Sequence, residues 1–390
     1  VNKLIYVANN RLPTEKAHGL QIVQMCEALA DTGYAVTLVT PRRFNTPEMK
    51  TVRSLWEHYG VNRNFGFCRL PCLDLFPLFP RHHVAMLIQT ITYLLALVVW
   101  LMFRRVDVLY TRDLFAGLVI TTTRPRTKLV YEVHQVHRSR LGQRVQAFVV
   151  RRAYTVPITH HLADKMRALG ARRVLVEHDG MRLARFENRP TRETARAALG
   201  IDPAAFVIGY IGRLHTMGMT KGLDTLVDAI SHAGREGAVA DLLLVGGPEE
   251  GIKTIREQWQ ARGLSSERLH TVGQVPPGHV PRYLAAMDVG AMPLPWTEHF
   301  AYYASALKLF EYMAAGCAVL ASDLPSTAEV VRDGETAVLA PPGDVSAFAG
   351  AIRRLVADRA LCRTLGERAQ AEVQRYSWSA RADRIRVFIE

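Results

Sequence analysis

A planar guanidinium and a compact ammonium brought to one turn make a grip for a diphosphate. The segment GRLHTMGMTKG carries both, as Arg213 and Lys221. The apolar run FVIGYIG delivers it from a strand, and Gly212 and Gly222 allow a close backbone approach. Two such cations can stabilise charge that builds on a diphosphate leaving group. The competing reading is a surface Arg and a surface Lys beside a turn. A second constellation is SALKLFEYMAAG, residues 305–316. It reads as a helix with Ser305 as N-cap, Leu307, Phe310 and Met313 or Ala314 toward the core, and Gly316 at its end. Glu311 lies one turn past Lys308, where a carboxylate can accept hydrogen bonds from the two hydroxyls of a ribose. The helix N-terminus adds partial positive charge for a phosphate. The alternative is an exposed i,i+3 Lys–Glu pair, which the apolar neighbours on both sides disfavour. His134 ends the run KLVYEVH and could hydrogen-bond a sugar or shuttle a proton. A satisfied structural histidine is the other reading, and Glu132 and His137 are secondary candidates nearby.

Missing motifs narrow the chemistry. There is no Asp-x-Asp pair, so a metal bridging a diphosphate has no obvious ligands, and neither metal nor cofactor is expected. No GxxxxGK[ST] loop supports an ATPase, and no GxGxxG follows the first strand to support a nicotinamide enzyme. The net charge of +13 favours anionic partners: nucleic acid, acidic lipid or a phosphorylated substrate. No RNP or zinc-finger pattern accompanies it, and no nucleic-acid partner is expected. Five cysteines without metal spacing fit a reducing compartment. No secretory signal opens the chain, and the expected location is cytoplasmic.

The elements that must position these residues alternate. KLIYVAN, YAVTLVTP, DVLYTRD, KLVYEVH, TVPIT and RVLVEHDG read as strands separated by helical stretches. The polar stretch at 186–203 reads as a linker with a short helix, after which FVIGYIGRL, ADLLLVGGP, LHTVGQV, DVGAMPLP, AVLASD and AVLAPP resume the alternation. The expected fold is α/β: two doubly wound, Rossmann-like domains in series, facing each other across a cleft. Residues 1–185 form the N-terminal domain, 186–203 the linker, 204–372 the C-terminal domain and 373–390 a closing helix. Ligands belong beyond the carboxyl ends of the strands, which points to the loops at 9–18, 132–137, 212–222, 246–250, 273–277, 293–305 and 323–326. The apolar stretch 84–103 is about long enough to span a bilayer, flanked by Arg81, His82 and His83 and by Arg104 and Arg105. Because DVLYTRD follows at once, it reads as a core helix. The alternatives are a spanning helix, or docking on an anionic membrane surface without crossing it.

The C-terminal half resembles the donor domain of family 4 retaining glycosyltransferases of the GT-B fold. It does so in GRLHTMGMTKG, LLLVGGP, VGQVPPGHVPRYLAAMDVGAMPLP and above all SALKLFEYMAAGCAVLASDLPSTAEVVRDGETAVLAPPGD. The N-terminal half supports the likeness in AHGLQIVQMCEALADTGYAVTLVT, VLYTRD, VYEVH and HDGMRLARF. YSWSARADRI is similar to the family's last helix, which packs back across the N-terminal domain. The resemblance implies a UDP- or GDP-sugar donor. Arg213 and Lys221 would hold its diphosphate and Glu311 its ribose, with Gly212, Gly247 and Ser305 in the same site. Backbone around Val275 and Pro276 would contact the base, Gly19 would approach the phosphates, and His134 would touch the donor sugar or the reacting centre. Transfer would retain anomeric configuration and need no metal.

The chain departs from the family where many members carry a first glutamate: Tyr303 stands there, and Ser305 to Lys308 fits a Ser-x-x-Lys variant. Lys308 would then join the diphosphate clamp or read an acidic group on the sugar, and Glu298 could replace the missing carboxylate. The spacing from Arg213 to Lys221 is longer than in many members. The acceptor, a glycan, lipid-linked sugar or small molecule, is expected to be read by the N-terminal domain. The basic, aromatic loop 65–83 and the helix after it hint at a lipid-linked acceptor and peripheral membrane association. The alternatives are a nucleotide-sugar 2-epimerase and a non-catalytic basic protein on a membrane surface.

Overall fold

The computed structural model describes residues 2–76, 79, 83–216, 218–305 and 307–390. The chain divides into two compact units, Val1–Gly180 with Trp378–Glu390, and Met181–Ser377. Each is built on a parallel sheet whose central strands are short apolar runs buried on both faces, as a helix-covered sheet requires.

In the first unit the strands are β1 (Lys3–Val7), β2 (Ala35–Pro41), β3 (Gly66–Leu70), β4 (Val108–Thr111), β5 (Lys128–Val133), β6 (Tyr154–Pro157) and β7 (Arg173–Val174). Their order is β3-β2-β1-β4-β5-β6-β7, all parallel. The order reverses between β1 and β4, so the loops beyond these strands open a crevice at the sheet's carboxyl end. Two readings change here. The edge strand β3 lies in what the sequence suggests is a loop. RVLVEHDG keeps strand form only over Arg173–Val174; beyond it Leu175 N and Glu177 N still donate to the Thr155 and Pro157 carbonyls, and the Glu177 and Asp179 carboxylates accept from Arg384 and Gln21. The closing helix Trp378–Ile389 packs on the helix Ala17–Asp31, with the Trp378 indole donating to Gln24 Oε1 at 2.6 Å.

The stretch 84–103 forms the helix His83–Met102. One face is built into the first unit: Tyr93 is buried and donates to the Val39 carbonyl, and Gln89 donates to Asn9. These contacts anchor one face of the helix in the first unit, while many of its apolar residues stay exposed, so it is not the buried core helix expected from the sequence. Arg81 and His82, read as its basic flank, lie outside the described residues.

The second unit carries β8 (Val207–Arg213), β9 (His215–Thr216), β10 (Met219–Thr220), β11 (Asp241–Gly247), β12 (Leu269–Val272), β13 (Val289–Met292), β14 (Ala318–Ser322) and β15 (Val338–Ala340). Six of them make a parallel sheet of order β12-β11-β8-β13-β14-β15, and β9 and β10 form a small antiparallel hairpin. The reversal falls between β8 and β13. The stretch 186–203 is bonded into this unit rather than being a free connection. Arg196, on the helix Arg192–Ala197, is buried and donates to Asp288, the Ala286 carbonyl and the Pro203 carbonyl.

Candidate active site

In the second unit the switch point gathers cations. β8 ends at Arg213, the chain makes the β9–β10 hairpin, and Thr220 pairs back opposite His215. The hairpin absorbs the long spacing and returns Lys221 to the level of the strand end. Gly222 follows with φ 70°, and a Cβ there would stand 1.7 Å from the Pro293 carbonyl oxygen. Only glycine lets the helix Leu223–Arg235 start this close to the loop after β13. Gly212 has φ 127°, and a Cβ on it would meet Lys308 Cε at 2.1 Å. The bare backbone at Gly212 is thus the floor on which the Lys308 stem lies.

The helix Leu307–Ala315 places Lys308 and Glu311. It is pinned by Tyr312, whose hydroxyl accepts from Ile211 N at 3.1 Å and donates to the Ala291 carbonyl at 3.2 Å. This fixes the helix against both β8 and β13. Ser305 lies ahead of the helix, and Ala306, between them, is outside the described residues.

The electrostatics are those of an anion site. Burial, and then the Lys308 charge, lower the Lys221 pKa to about 8. Its ammonium also sits 4.2 Å from the Phe300 ring centroid. Lys308 is lowered by burial, helped by Arg213 and opposed by Glu311. His299 is lowered by burial and by Lys221. Lys308 thus bears on Lys221 and Arg213 on Lys308, and an anion between them would relieve that repulsion.

Glu311 is mostly buried, and burial raises its carboxyl against the pull of Arg185 and Lys308. Arg185 was not among the residues expected here. Its guanidinium lies 4.0 Å from Glu311 and also donates to the Pro277 carbonyl, in the loop after β12 that holds Val275 and Pro276. One side chain therefore joins the carboxylate proposed for the ribose to the loop proposed for the base. The signal for it is its place in HDGMRLARF. Gly247 ends β11 beside the Arg213 turn, its carbonyl accepting from Leu214 N at 3.1 Å. Tyr303, which stands where a glutamate was expected, donates to Glu298 Oε1 at 3.2 Å, so a carboxylate is held beside that position.

Gly19 and His134 belong to the first unit. Gly19 is buried in the first turn of its helix, where a Cβ would stand 2.4 Å from the Tyr59 hydroxyl and 2.5 Å from Thr14 Cγ2. His134 lines a cavity of about 400 Å³ with Asn9, His18, Arg112 and His137. Both of its ring nitrogens are engaged. Nε2 is 2.5 Å from Glu132 Oε1, and Arg112 Nη2 is 3.1 Å from Nδ1. Arg112 can only donate, so Nδ1 accepts and the proton sits on Nε2. Burial alone would raise the Glu132 carboxyl, but Arg381, the His134 hydrogen bond and Arg112 hold it well below the usual range. Arg381, from the closing helix, is 1% exposed and reaches Glu132 Oε2 at 3.1 Å; the Tyr110 hydroxyl donates to the same oxygen. Glu132, His134 and Asp179 bring ligand atoms within 4.8 Å of one another. Arg381 and Arg112 already balance Glu132, leaving little net charge to draw a cation.

Residues 205–358 match the family described as Glycosyl transferases group 1. A D-inositol 3-phosphate glycosyltransferase of Nocardia farcinica is 32% identical over 218 residues, 54% of this chain and 46% of that protein. A phosphatidyl-myo-inositol mannosyltransferase of Mycobacterium leprae is 34% identical over 166 residues, 42% and 41% of the two chains. The chain thus spans about half the length, or less, of these curated relatives. Among solved structures, sucrose-phosphate synthase from Thermosynechococcus elongatus aligns with TM-score 0.75 at 21% identity over 99% of this chain and 98% of that one. HepE of Anabaena, in complex with UDP and glucose, aligns with TM-score 0.71 at 20% identity over 99% of each. These likenesses establish the fold, which is GT-B.

Proposed function

Since the second unit carries a glycosyl transferases group 1 domain and the chain has the GT-B fold, we propose that the protein is a retaining glycosyltransferase using a UDP- or GDP-sugar. The observation that carries this is the meeting of Arg213, Lys221 and Lys308 at the switch point, with Glu311 one turn further along the same helix. The cations hold the diphosphate and Glu311 the ribose hydroxyls. The bond from the anomeric carbon to the diphosphate oxygen breaks, and the departing diphosphate takes the electron pair. The acceptor hydroxyl oxygen bonds to that carbon from the same face, and its proton passes to the departing phosphate oxygen. Arg213, Lys221 and Lys308 stabilise the charge that develops, the work a metal does in other transferases. His134 has no free ring nitrogen, which weighs against a role as base; on this reading it touches the donor sugar by shape and keeps Arg112 and Glu132 in place. Glu298, held by Tyr303, stands in for the missing first glutamate.

The acceptor is a hydroxyl compound, and a lipid-linked glycan fits best, with the protein on the cytoplasmic face of the membrane. The Lys308–Glu311 helix and the named relatives favour transfer over 2-epimerisation and over a non-catalytic role. The test is a thermal-shift screen of UDP- and GDP-sugars, followed by release of nucleoside diphosphate in the presence of EDTA. Glu311→Ala and Lys221→Ala should abolish turnover while the protein stays folded. Turnover like that of the wild type in both would remove the site assignment, and a rearranged donor formed without acceptor would replace transfer by epimerisation.

A further inference from the structure

Two cavities of opposite character flank the carboxyl end of β3 in the first unit. The polar one, about 800 Å³, has Arg42, Arg43, Lys50, Arg53 and Arg69 in its wall against a single acid, Asp74. Asp74 is itself taken, by Phe44 N at 2.9 Å and by Arg43 at 3.5 Å. The Trp56 Nε1 donor in the same wall is buried with no hydrogen-bond partner among the described residues. A pocket with surplus cations and an unanswered donor is built for a polar, anionic ligand. It opens where β1, β2 and β3 end, the ligand side of a doubly wound sheet.

The second cavity, about 570 Å³, is lined by Leu70, Leu95, Val99, Trp100, Phe103 and Arg104. Arg69 faces the first cavity and Leu70 the second, because successive residues of a strand point to opposite faces. The second cavity continues onto the outer face of the helix His83–Met102. There Leu87, Ile91, Leu95, Val99 and Met102 recur at helical spacing and are all exposed. Phe103 beyond them is 82% exposed. Arg104 caps this face, stacked on Trp100 at 4.9 Å. The loop after β3 is tied to the helix by Leu73 N donating to Thr92 Oγ1 at 3.0 Å, so polar pocket and apolar face are held in fixed relation.

We infer that the first unit docks on an anionic lipid surface through this helix face and takes the phosphate of a lipid-anchored acceptor into the Arg42–Arg53–Arg69 pocket. The charge pattern selects this occupant. Nucleic acid would use the arginines but has nothing to lay on an aliphatic stripe. A neutral membrane would use the stripe but leave the pocket charges unanswered. A helix with one face anchored in protein and the other apolar and edged with arginine lies in the interfacial plane. The inference rests on the proposed transferase reading only in calling the lipid an acceptor.

The test is co-sedimentation of the full chain with phosphatidylcholine vesicles, with and without phosphatidylglycerol. Calorimetry with UDP and GDP is run on every variant. Binding should require phosphatidylglycerol. Each arginine near an anionic surface is worth about fivefold, so Arg42→Ala/Arg53→Ala/Arg69→Ala should lower partitioning on the order of a hundredfold. Leu95→Asp/Val99→Asp should also release the protein, and both variants should keep nucleotide binding and a cooperative melt. Short-chain phosphatidylglycerol below its micellar concentration should bind more tightly than inorganic phosphate. Equal binding to both vesicle types, undiminished binding by either variant, or inorganic phosphate binding as tightly as the short-chain lipid would overturn the inference. So would a wild-type dimer that Leu95→Asp/Val99→Asp converts to monomer, which would assign the face to a second copy. If the wild type binds vesicles but no nucleotide, the transferase reading fails and the docking surface stands.

Discussion

Replacing Lys221 with glutamine should make the unliganded protein more stable and the donor site worse. A lysine held at about 8 against an ordinary 10.5 carries at most about 3 kcal/mol of desolvation and repulsion. The side chain is partly open to solvent, and screening brings this to about 1 kcal/mol. The sign follows from proton counts. Between pH 8 and 10.5 the unfolded lysine keeps its proton while the folded one has lost it, so stability rises with pH across that window. The penalty is therefore full below pH 8 and gone above 10.5. Lys221→Gln should raise the melting temperature at pH 7 by about 2–4 °C, with the gain vanishing near pH 10.5. Diphosphate binding should respond in the opposite direction. Loss of a charge-assisted contact costs about 1.5–3 kcal/mol, or about 10- to 100-fold in Kd. Wild-type affinity should fall above pH 8 by up to about tenfold per pH unit, with proton uptake on binding. Differential scanning calorimetry of the free protein and titration calorimetry with UDP and GDP from pH 7 to about 9.5 measure both. A lower melting temperature for Lys221→Gln at pH 7, or wild-type affinity flat across the range, would refute the reasoning.

Glu311→Gln should weaken nucleotide binding by about 10- to 100-fold in titration calorimetry, since charged acceptors for the ribose hydroxyls are replaced by a weaker one. Arg381→Met should destabilise the first unit by about 3–5 kcal/mol in urea melts, because Glu132 is left buried without its main counter-charge. The Arg381→Met/Glu132→Gln double variant should recover much of that loss. Since the folded Glu132 pKa is depressed, the pair's contribution is present above the ordinary glutamate range and should fade as urea melts are moved to lower pH. Gly222→Ala should cost at least about 1–2 kcal/mol, read as a lowered melting temperature, from its left-handed backbone and its contact with the Pro293 carbonyl.

The parts of the fold that the sequence reveals are those whose signal is local. The apolar runs at Val207–Arg213 and Asp241–Gly247 are buried along nearly their whole length, so they read as strands without knowledge of their neighbours. The helix carrying Lys308 and Glu311 is legible for the same reason: Phe310, Met313 and Ala314 keep helical spacing. β3 escapes because Gly66–Leu70 is an edge strand of five residues with Arg69 among them, and only its pairing with β2 makes it a strand. Arg185 escapes although it lies in HDGMRLARF, because its partners, Glu311 and Pro277, are distant in sequence and brought to it by the fold. Arg381 is the sharper case. In sequence it is one of several arginines on a polar helix, and the expected place for such residues is solvent. Its burial becomes intelligible only once Glu132, Tyr110 and the His178 carbonyl surround it.

The two histidine and lysine sites are tuned in opposite ways, and the contrast says what each unit contributes. In the first unit every charge near His134 has a partner: Glu132 answers Arg381 and Arg112, and the imidazole is fixed in one tautomer. Such a network holds a shape and resists change, which suits the positioning role proposed for His134. In the second unit Arg213, Lys221 and Lys308 face one another, with Glu311 already shared with Arg185. That arrangement is unfavourable until something anionic enters, and the repulsion it relieves adds to the affinity for whatever does. On the proposed transferase reading the departing diphosphate would gain most from it, because its negative charge grows as its bond to the anomeric carbon breaks.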